Sequence, residues 1–158
     1  MSHQVSNHSV TNIAGPPPSE LPHDNLILRI NVTIPADPDA ISPVVAGIME
    51  LARWMDCVEG KEMEIETALR EALANAIKHG CHGNPSKKVQ CTVACDEERS
   101  LVIVVRDPGL GFDPDQVPNP TRIENLYSSH GRGIYLINEL MDEVRFERGG
   151  SQIVMRKQ

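Results

Sequence analysis

The stretch LVIVVRDPGLGF, residues 101–112, decides the fold of this chain. Its first five residues form a continuous apolar run, which is typical of a central strand that is buried on both faces. Asp107 follows directly after the strand, so we expect its side chain at the edge of the sheet, where a ligand can reach it. Gly109 and Gly111 come next, and glycines let the backbone approach a flat ligand closely. The stretch therefore predicts a buried strand that ends in a binding loop, although a turn with Asp and Gly is by itself commonplace.

Strands and helices are predicted on both sides of this stretch. Alternating apolar residues predict two further strands, at about residues 26–34 and 89–95, and a hairpin closes the chain (EVRFERGG, then SQIVMRK). Three helices are predicted from apolar spacing and capping residues. The first could be capped by Asp39 or Ser42 and runs to about Asp56, and the others lie at about residues 61–79 and 133–141. The order strand, two helices, two strands, loop, helix, two strands is typical of an α/β sandwich.

The composition indicates one domain with an aliphatic core. A chain of 158 residues fits a single domain, and only 3% of its residues are aromatic. Residues 1–25 contain four prolines, no Lys or Arg and no apolar period, so they are predicted to be a flexible tail before a domain at residues 26–158.

Charge and motif content exclude several classes of function. The net charge is −7, so the phosphate backbone of a nucleic acid or an anionic membrane would be repelled. The sequence shows neither a signal peptide nor an apolar segment that could span a bilayer, which predicts a cytoplasmic location. The four cysteines form no CxxC pair and are predicted to be reduced core residues.

Two further segments carry groups that could take part in binding or catalysis. Glu71 and Asn75 are four residues apart on the second predicted helix, so they share a face. Such a face is most often only solvated, but an Asn oxygen suits Mg²⁺ and a Glu carboxylate can deprotonate a nucleophile. HGRGI, residues 130–134, opens the third helix, where free amides bind phosphate and glycines leave room for it. Each signal is weak when it is taken alone.

In combination and in this order, these motifs resemble those of a known superfamily. EALANAIKHG (residues 71–80), the strand that ends in DPGLGF and the later HGRGIYLI resemble the N box and the two glycine boxes of the GHKL ATPases. The resemblance covers about residues 26–158. It implies an α/β fold of the histidine-kinase-like ATP-binding type, a two-layer sandwich in which helices cover one face of a mixed sheet.

Within this superfamily, the chain looks most like the small bacterial anti-sigma-factor serine/threonine-protein kinases. With 158 residues, it is too short for the dimerisation and phosphoacceptor helices of a histidine kinase. The resemblance implies ATP and Mg²⁺ as cofactors. It also implies two protein partners, a sigma factor that is held inactive and a STAS-type anti-anti-sigma protein that is phosphorylated on Ser or Thr. Relatives commonly dimerise, so a homodimer is a further expectation.

The resemblance also implies a role for individual residues. Glu71 matches the catalytic base, Asn75 the Mg²⁺ ligand and Asp107 the residue that binds the adenine amine. Residues 113–130 match the ATP lid. The other residues implied to bind ATP are His79, Gly109, Gly111, Phe112, Gly131, Arg132, Gly133 and Ser151.

One departure from the family pattern leaves a second function open. Some members carry an Arg shortly before the first glycine of the second glycine box, where it helps to neutralise the γ-phosphate. Here, Ser128, Ser129 and His130 occupy that stretch, with Arg132 or Arg122 as substitutes. The alternative function is therefore a non-catalytic ATP-binding regulatory module, in which nucleotide gates the binding of a partner.

Overall fold

A computed structural model describes residues 25–111 and 129–158, with the side chains of residues 129–131 left out. The helices are α1 (Ile41–Trp54), α2 (Glu62–Asn75) and α3 (Ser129–Leu140). The strands are β1 (Leu26–Pro35), β2 (Lys88–Asp96), β3 (Leu101–Arg106), β4 (Glu143–Glu147) and β5 (Gln152–Lys157). They form one sheet in the order β1-β2-β3-β5-β4, and the main core lies between this sheet and the helices. The predicted α/β sandwich, with helices over one face of the sheet, is confirmed.

Strand β3 lies at the centre of the sheet, as its apolar run predicts. It pairs with β2 on one side and with β5 on the other. Leu101, Ile103 and Val105 belong to the core under the helices, whereas Val102 and Val104 belong to a smaller cluster on the opposite face. All five side chains are at most 3% exposed. The prediction of burial on both faces is confirmed.

The expectation of a mixed sheet is wrong in one detail. All four strand pairings in the described residues are antiparallel. Strand β4 runs in the same direction as β3, which is what a crossover through α3 produces. However, β5 turns back and inserts between them, so these two parallel strands are not hydrogen-bonded neighbours.

Two helix boundaries differ from the predicted ones, and both changes bear on the site. Helix α2 ends at Asn75 and is followed by a wide π-type turn, Ala76–Gly80, in which the amide of Cys81 donates to the carbonyl of Ala76 over 2.9 Å. Helix α3 begins at Ser129 rather than at Gly133. A glycine inside a helix costs only about 1 kcal/mol relative to alanine, which the packing of α3 against α2 can outweigh.

The remaining predictions concern the cysteines, the tail and the membrane. All four cysteines are free and buried, as predicted, and burial raises the pKa of the Cys91 thiol to about 12. Among the described residues, no helix is long and apolar enough to cross a membrane. The predicted flexible tail lies, except for Asn25, outside the described residues.

We expect Ile103→Ala to destabilise the protein strongly, since Ile103 is 0% exposed at the centre of the sheet. Truncating a fully buried Ile leaves a cavity and costs about 2–5 kcal/mol in the free energy of unfolding. Met63→Ala is the control, because Met63 is 75% exposed, and it should change that free energy by no more than about 0.5 kcal/mol. Urea denaturation measures both, and equal effects would contradict this account of the core.

Candidate functional site

The contact between α2 and α3 brings together the polar residues of two motifs. Glu71 and Asn75 lie one turn apart on α2, and Gly133 of α3 packs directly against them. A Cβ atom added at Gly133 would lie 2.9 Å from Glu71 Oε2 and 3.1 Å from Asn75 Nδ2. The glycine therefore lets the backbone of α3 come close to a carboxylate and an amide. Three of the predicted site residues meet at this point.

Asp107 is held in a fixed position just beyond the end of β3. Its backbone N–H donates to the carbonyl of Ser151 over 3.0 Å, and its Oδ1 accepts from the N–H of Gly109 over 2.8 Å. Gly80, at the end of the wide turn, packs against the same carboxylate, so that a Cβ added there would overlap it. The carboxylate thus has one oxygen bound by the backbone, and its Oδ2 is suited to accept from a ligand amine.

The electrostatics of Asp107 are governed by its half-buried position. Burial raises the pKa of its carboxyl group, and the N–H of Gly109 and the charge of His82 only partly offset this. The neighbouring Cys81 has a raised pKa for two reasons, its own burial and the negative charge of Asp107. A partly desolvated carboxylate in a cleft is typical of a ligand-binding position.

The turn between β4 and β5 closes the other side of the Asp107 loop. Gly111 has a left-handed backbone (φ +80°), and a Cβ added there would overlap the carbonyl of Gly149 and lie 3.1 Å from the nitrogen of Ser151. The Ser151 hydroxyl donates to the carbonyl of Arg148 over 2.9 Å. Ser151 thus supports Asp107 through its backbone carbonyl.

For some of the other predicted site residues, the structure gives only a position in the fold. His79 lies in the wide turn, next to Gly80, and Arg132 is exposed on α3. Gly131 is the third residue of α3, so its amide is one of those without a partner inside the helix, whereas that of Gly133 lies beyond the first turn. Phe112 and residues 113–128 of the predicted lid lie outside the described residues. Their roles stay predictions.

Gly80 and Gly149 were not singled out from the sequence. Gly80 packs against Asp107, and Gly149 packs against Gly111. Both glycines matter only because they lack a side chain, and each pair is far apart along the chain. The position of Gly80 at the end of a helical pattern, before a polar loop, is a local signal for a helix terminus and nothing more. The wide turn itself is a form often found at functional sites.

The fold and these contacts define a nucleotide-binding α/β domain. A helix pair carries a carboxylate and an amide side by side, and a buried strand ends in an aspartate that glycines enclose. The chain belongs to the family of the histidine kinase-like ATPase domain, which matches residues 34–157. ATP binding is the property of that family.

Individual relatives narrow the comparison. The chain is similar to the serine-protein kinase RsbW of Bacillus subtilis, with 28% identity over 135 residues that cover 81% of this chain and 84% of that protein. It is also similar to an anti-sigma F factor of Priestia megaterium, with 36% identity over 53% of this chain and 58% of that protein. Both confirm the resemblance to anti-sigma-factor kinases. A histidine kinase domain from Erythrobacter litoralis EL346 is a more distant structural match, with a TM-score of 0.45, 19% identity, and coverage of 78% of this chain and 59% of that one.

Gly133→Ala tests the contact between α2 and α3. Alanine favours a helix by about 0.5–1 kcal/mol over glycine, and the nearest atom to the new methyl is the mobile end of Glu71, so stability should hold or rise. Displacing Glu71 and Asn75 should weaken Mg·ATP binding about tenfold, which corresponds to about 1.4 kcal/mol. Titration calorimetry and thermal unfolding measure the two effects.

Gly47→Ala is the matched control for this substitution. Gly47 lies inside α1, and a Cβ there would meet nothing within 4 Å. This variant should gain the same helix propensity and bind Mg·ATP like the unaltered protein. Equal nucleotide affinity in the two variants would contradict the role given to Gly133.

Asp107→Asn tests the burial of the carboxylate through the pH dependence of stability. Because the pKa of Asp107 is raised above 3.8 in the folded state, the folded protein binds this proton more tightly than the unfolded chain. The contribution of Asp107 to the stability of the unaltered protein is therefore lost as the pH rises from 3.8 through the raised pKa, and the variant lacks this loss. The free energy of unfolding of Asp107→Asn, relative to the unaltered protein, should increase over that interval. Denaturant titrations at several pH values measure it, and a constant or decreasing difference would refute the assignment.

Proposed function

We propose that this protein is an ATP-dependent serine/threonine protein kinase that acts as an anti-sigma factor in the bacterial cytoplasm. It binds a sigma factor and phosphorylates a STAS-type anti-anti-sigma protein. The observation that carries the proposal is the contact of Glu71 and Asn75 with Gly133, since it places a potential base and a potential metal ligand beside the glycine motif. The names of the two bacterial relatives, a serine-protein kinase and an anti-sigma F factor, support it.

The residues present fit a nucleotide with its magnesium ion. Asn75 offers a side-chain oxygen, and Mg²⁺ is usually bound by one or two protein ligands together with phosphates and waters. Among the described residues, no group of three His, Cys, Asp or Glu side chains could hold a metal ion by itself. The ion would therefore be held jointly by Asn75 and the phosphates, and when bound it would neutralise their charge.

Asp107 gives the site its preference for the base. One oxygen of its carboxylate is bound by the N–H of Gly109, so the other accepts from the exocyclic amine of adenine. Gly80, Gly109 and Gly111 form the wall beside it. At the opposite end, the free amides at the start of α3 are suited to bind phosphate oxygens, and Arg132 is near enough in sequence to assist.

Glu71 serves as the general base. A serine or threonine hydroxyl is a weak nucleophile, and a carboxylate within hydrogen-bond reach takes its proton as the phosphoryl group is transferred. Glu71 is half-buried and shares its helix face with Asn75, so it can approach the nucleophile on the side of the γ-phosphate. The glycine contact limits how far its carboxylate can turn toward α3.

The alternative proposal is a non-catalytic ATP-binding module that gates the binding of a partner. The sequence Ser128-Ser129-His130 favours it, because the resemblance implies an Arg in that stretch for charge neutralisation at the γ-phosphate. This alternative requires that a partner binds differently with ATP and without it.

Phosphotransfer separates the two functions. We expect the protein with Mg²⁺ and γ-labelled ATP to label one STAS-domain protein of its host, and Glu71→Gln to reduce the rate about 10²- to 10⁴-fold while ATP still binds. Glu66→Gln is the control, because Glu66 lies on the same helix but pairs with Arg70 over 3.2 Å. It should transfer phosphate at the rate of the unaltered protein.

The contrary outcomes are distinct. If Glu71→Gln transferred phosphate as fast as Glu66→Gln, the base would be wrongly assigned. If ATP bound but no STAS protein was labelled, and a partner bound more tightly with ATP than without it, the gating module would replace the kinase.

A further inference from the structure

Three polar side chains form a row across the end of the sheet. Strand pairing places Gln152 of β5 directly between Arg106 of β3 and Glu147 of β4. Directly opposite residues of an antiparallel pair share a face, and Arg106 lies two residues after Val104, which belongs to the cluster on the face opposite the helices. Arg106 Nε donates to Gln152 Oε1 over 2.7 Å, and Gln152 Nε2 donates to Glu147 Oε2 over 2.5 Å. These three residues are here called the polar bridge.

The chemistry of its members fixes the direction of the polar bridge. A guanidinium can only donate hydrogen bonds and a carboxylate can only accept them, whereas the amide between them does both. Gln152 is 3% exposed, so loss of either partner would leave a buried polar group without its hydrogen bond. Neighbouring strands lie about 4.8 Å apart, and β5 separates Arg106 from Glu147, so the amide is what links them. The polar bridge therefore ties three strands together at one point.

The polar bridge lies next to the backbone contact that holds Asp107. Asp107 follows Arg106 and Ser151 precedes Gln152, and the Asp107 N–H donates to the Ser151 carbonyl over 3.0 Å. The paired positions of β3 and β5 end at Arg106 and Gln152, so this bond is the first one beyond the ladder. The ends of such elements open more readily than their centres. A side-chain link at the last pair thus keeps the contact beyond it closed.

The Glu147 end of the polar bridge supports the same contact from the other side. Glu147 is the last residue of β4, and the carbonyl of Arg148, the next residue, accepts from the Ser151 hydroxyl over 2.9 Å. Ser151 is therefore held between two residues that each adjoin a member of the bridge. Its carbonyl is the acceptor for the Asp107 N–H, so the position of Asp107 depends on both ends of the row.

Charge gives the polar bridge a second reason to stay closed. Burial and the nearby charge of Arg148 lower the pKa of the Arg106 guanidinium, and Glu147 acts in the opposite direction. The hydrogen-bonded chain joins these two opposite charges through a neutral amide, and such chains strengthen their own bonds. A carboxylate at the position of Gln152 would instead lie opposite Glu147 and be repelled by it. The neutral side chain of Gln152 is thus the one that suits both partners.

We propose that the polar bridge positions Asp107 and thereby sets the preference of the site for adenine, with Gln152 as a positioning residue. The inference rests on the proposed contact between Asp107 and the exocyclic amine of adenine. A hydrogen bond weakens steeply when its geometry is disturbed, so a small displacement of the carboxylate is enough to lose this contact. The loop after Asp107 contains Gly109 and Gly111, which add little rigidity, so the support comes from the strands behind it.

Base preference tests the proposal. Titration calorimetry with Mg²⁺ compares ATP with purine riboside triphosphate, which is ATP without its exocyclic amine. The unaltered protein should prefer ATP by about 10- to 100-fold, as expected for one hydrogen bond to a charged group. Gln152→Met keeps the length of the side chain and removes its hydrogen bonds. We expect this variant to lose about tenfold in ATP affinity and to bind purine riboside triphosphate as before, because only the base contact is displaced.

Thr92→Val is the matched control. The Thr92 hydroxyl donates to Asn31 Oδ1 over 2.9 Å, and this bond also joins directly opposite residues of two strands on the same face of the sheet. Thr92 is 6% exposed and pairs β2 with β1, away from Asp107. This variant should keep the full preference for ATP. Thermal unfolding without nucleotide establishes that both variants are folded at the temperature of the titration.

An exchange of two side chains supplies a second measurement. Gln152→Glu alone sets two carboxylates opposite each other and should reduce the preference for ATP, as Gln152→Met does. Combining it with Glu147→Gln should restore the preference. The carboxylate introduced at position 152 can then accept from Arg106 and from the amide introduced at position 147, so the row is closed again.

Four outcomes would overturn the proposal. If Gln152→Met kept the full preference for ATP, the polar bridge would not position Asp107. If Gln152→Met weakened both nucleotides equally, its role would be structural only. A loss of preference in Thr92→Val as large as in Gln152→Met would make the effect a general one of the sheet. If the unaltered protein itself did not prefer ATP over purine riboside triphosphate, the adenine contact in the proposed function would be wrong, and the inference would fall with it.

Discussion

The geometry of the candidate site depends on three glycines, because a side chain at any of these positions would overlap or crowd a neighbouring group. An added Cβ would overlap the Asp107 carboxylate at Gly80 and the Gly149 carbonyl at Gly111. At Gly133, it would crowd the Glu71 carboxylate. Each contact joins elements that are remote in sequence: the wide turn after α2 to the loop after β3, that loop to the turn before β5, and α3 to α2. Because protein interiors are close-packed and deform little, a side chain at any of these points would move a functional group rather than be absorbed nearby. The polar residues are placed by backbones that glycine alone allows to come so close.

Local patterns sufficed for some parts of this arrangement and failed for others. The run from Leu101 to Val105 reports burial on both faces directly, and the spacing of Glu71 and Asn75 reports a shared helix face, so both could be predicted. The start of α3 at Ser129 could not be predicted, because the low helix propensity of glycine argues against a helix there, whereas packing against α2 favours one. The antiparallel order could not either, since the insertion of β5 between β3 and β4 is a choice among distant partners. The role of Gly80 depends on Asp107, 27 positions later, and no local signal reports it.

The negative charge of the chain and of the candidate site makes positively charged groups important for nucleotide binding. The chain carries a net charge of −7, and the site contributes two carboxylates, Glu71 and Asp107, to the neighbourhood in which a triphosphate would bind. Burial already raises the pKa of Asp107, so its charge is poorly solvated before any ligand arrives. In the proposed site, this repulsion would be offset locally by the amides at the start of α3, by Arg132 and by a divalent cation. Nucleotide binding without magnesium should accordingly be weak, whichever of the two proposed functions holds.

The apolar run of β3 is buried on both faces of the sheet, although the described helices cover only one of them. In LVIVV, alternate residues face opposite sides of the sheet, so Leu101, Ile103 and Val105 are satisfied by the helices, whereas Val102 and Val104 are not. A sheet with one solvated face normally alternates apolar and polar residues, and β3 does not. Its neighbours place Ala94 and Val154 beside these valines, so the apolar character of the open face extends over three strands. Arg106 and Gln152 stand at the end of this patch on the same face, where Arg106 Nε donates to Gln152 Oε1 over 2.7 Å. Long polar side chains of the strands themselves thus flank the apolar patch on the face that carries none of the described helices.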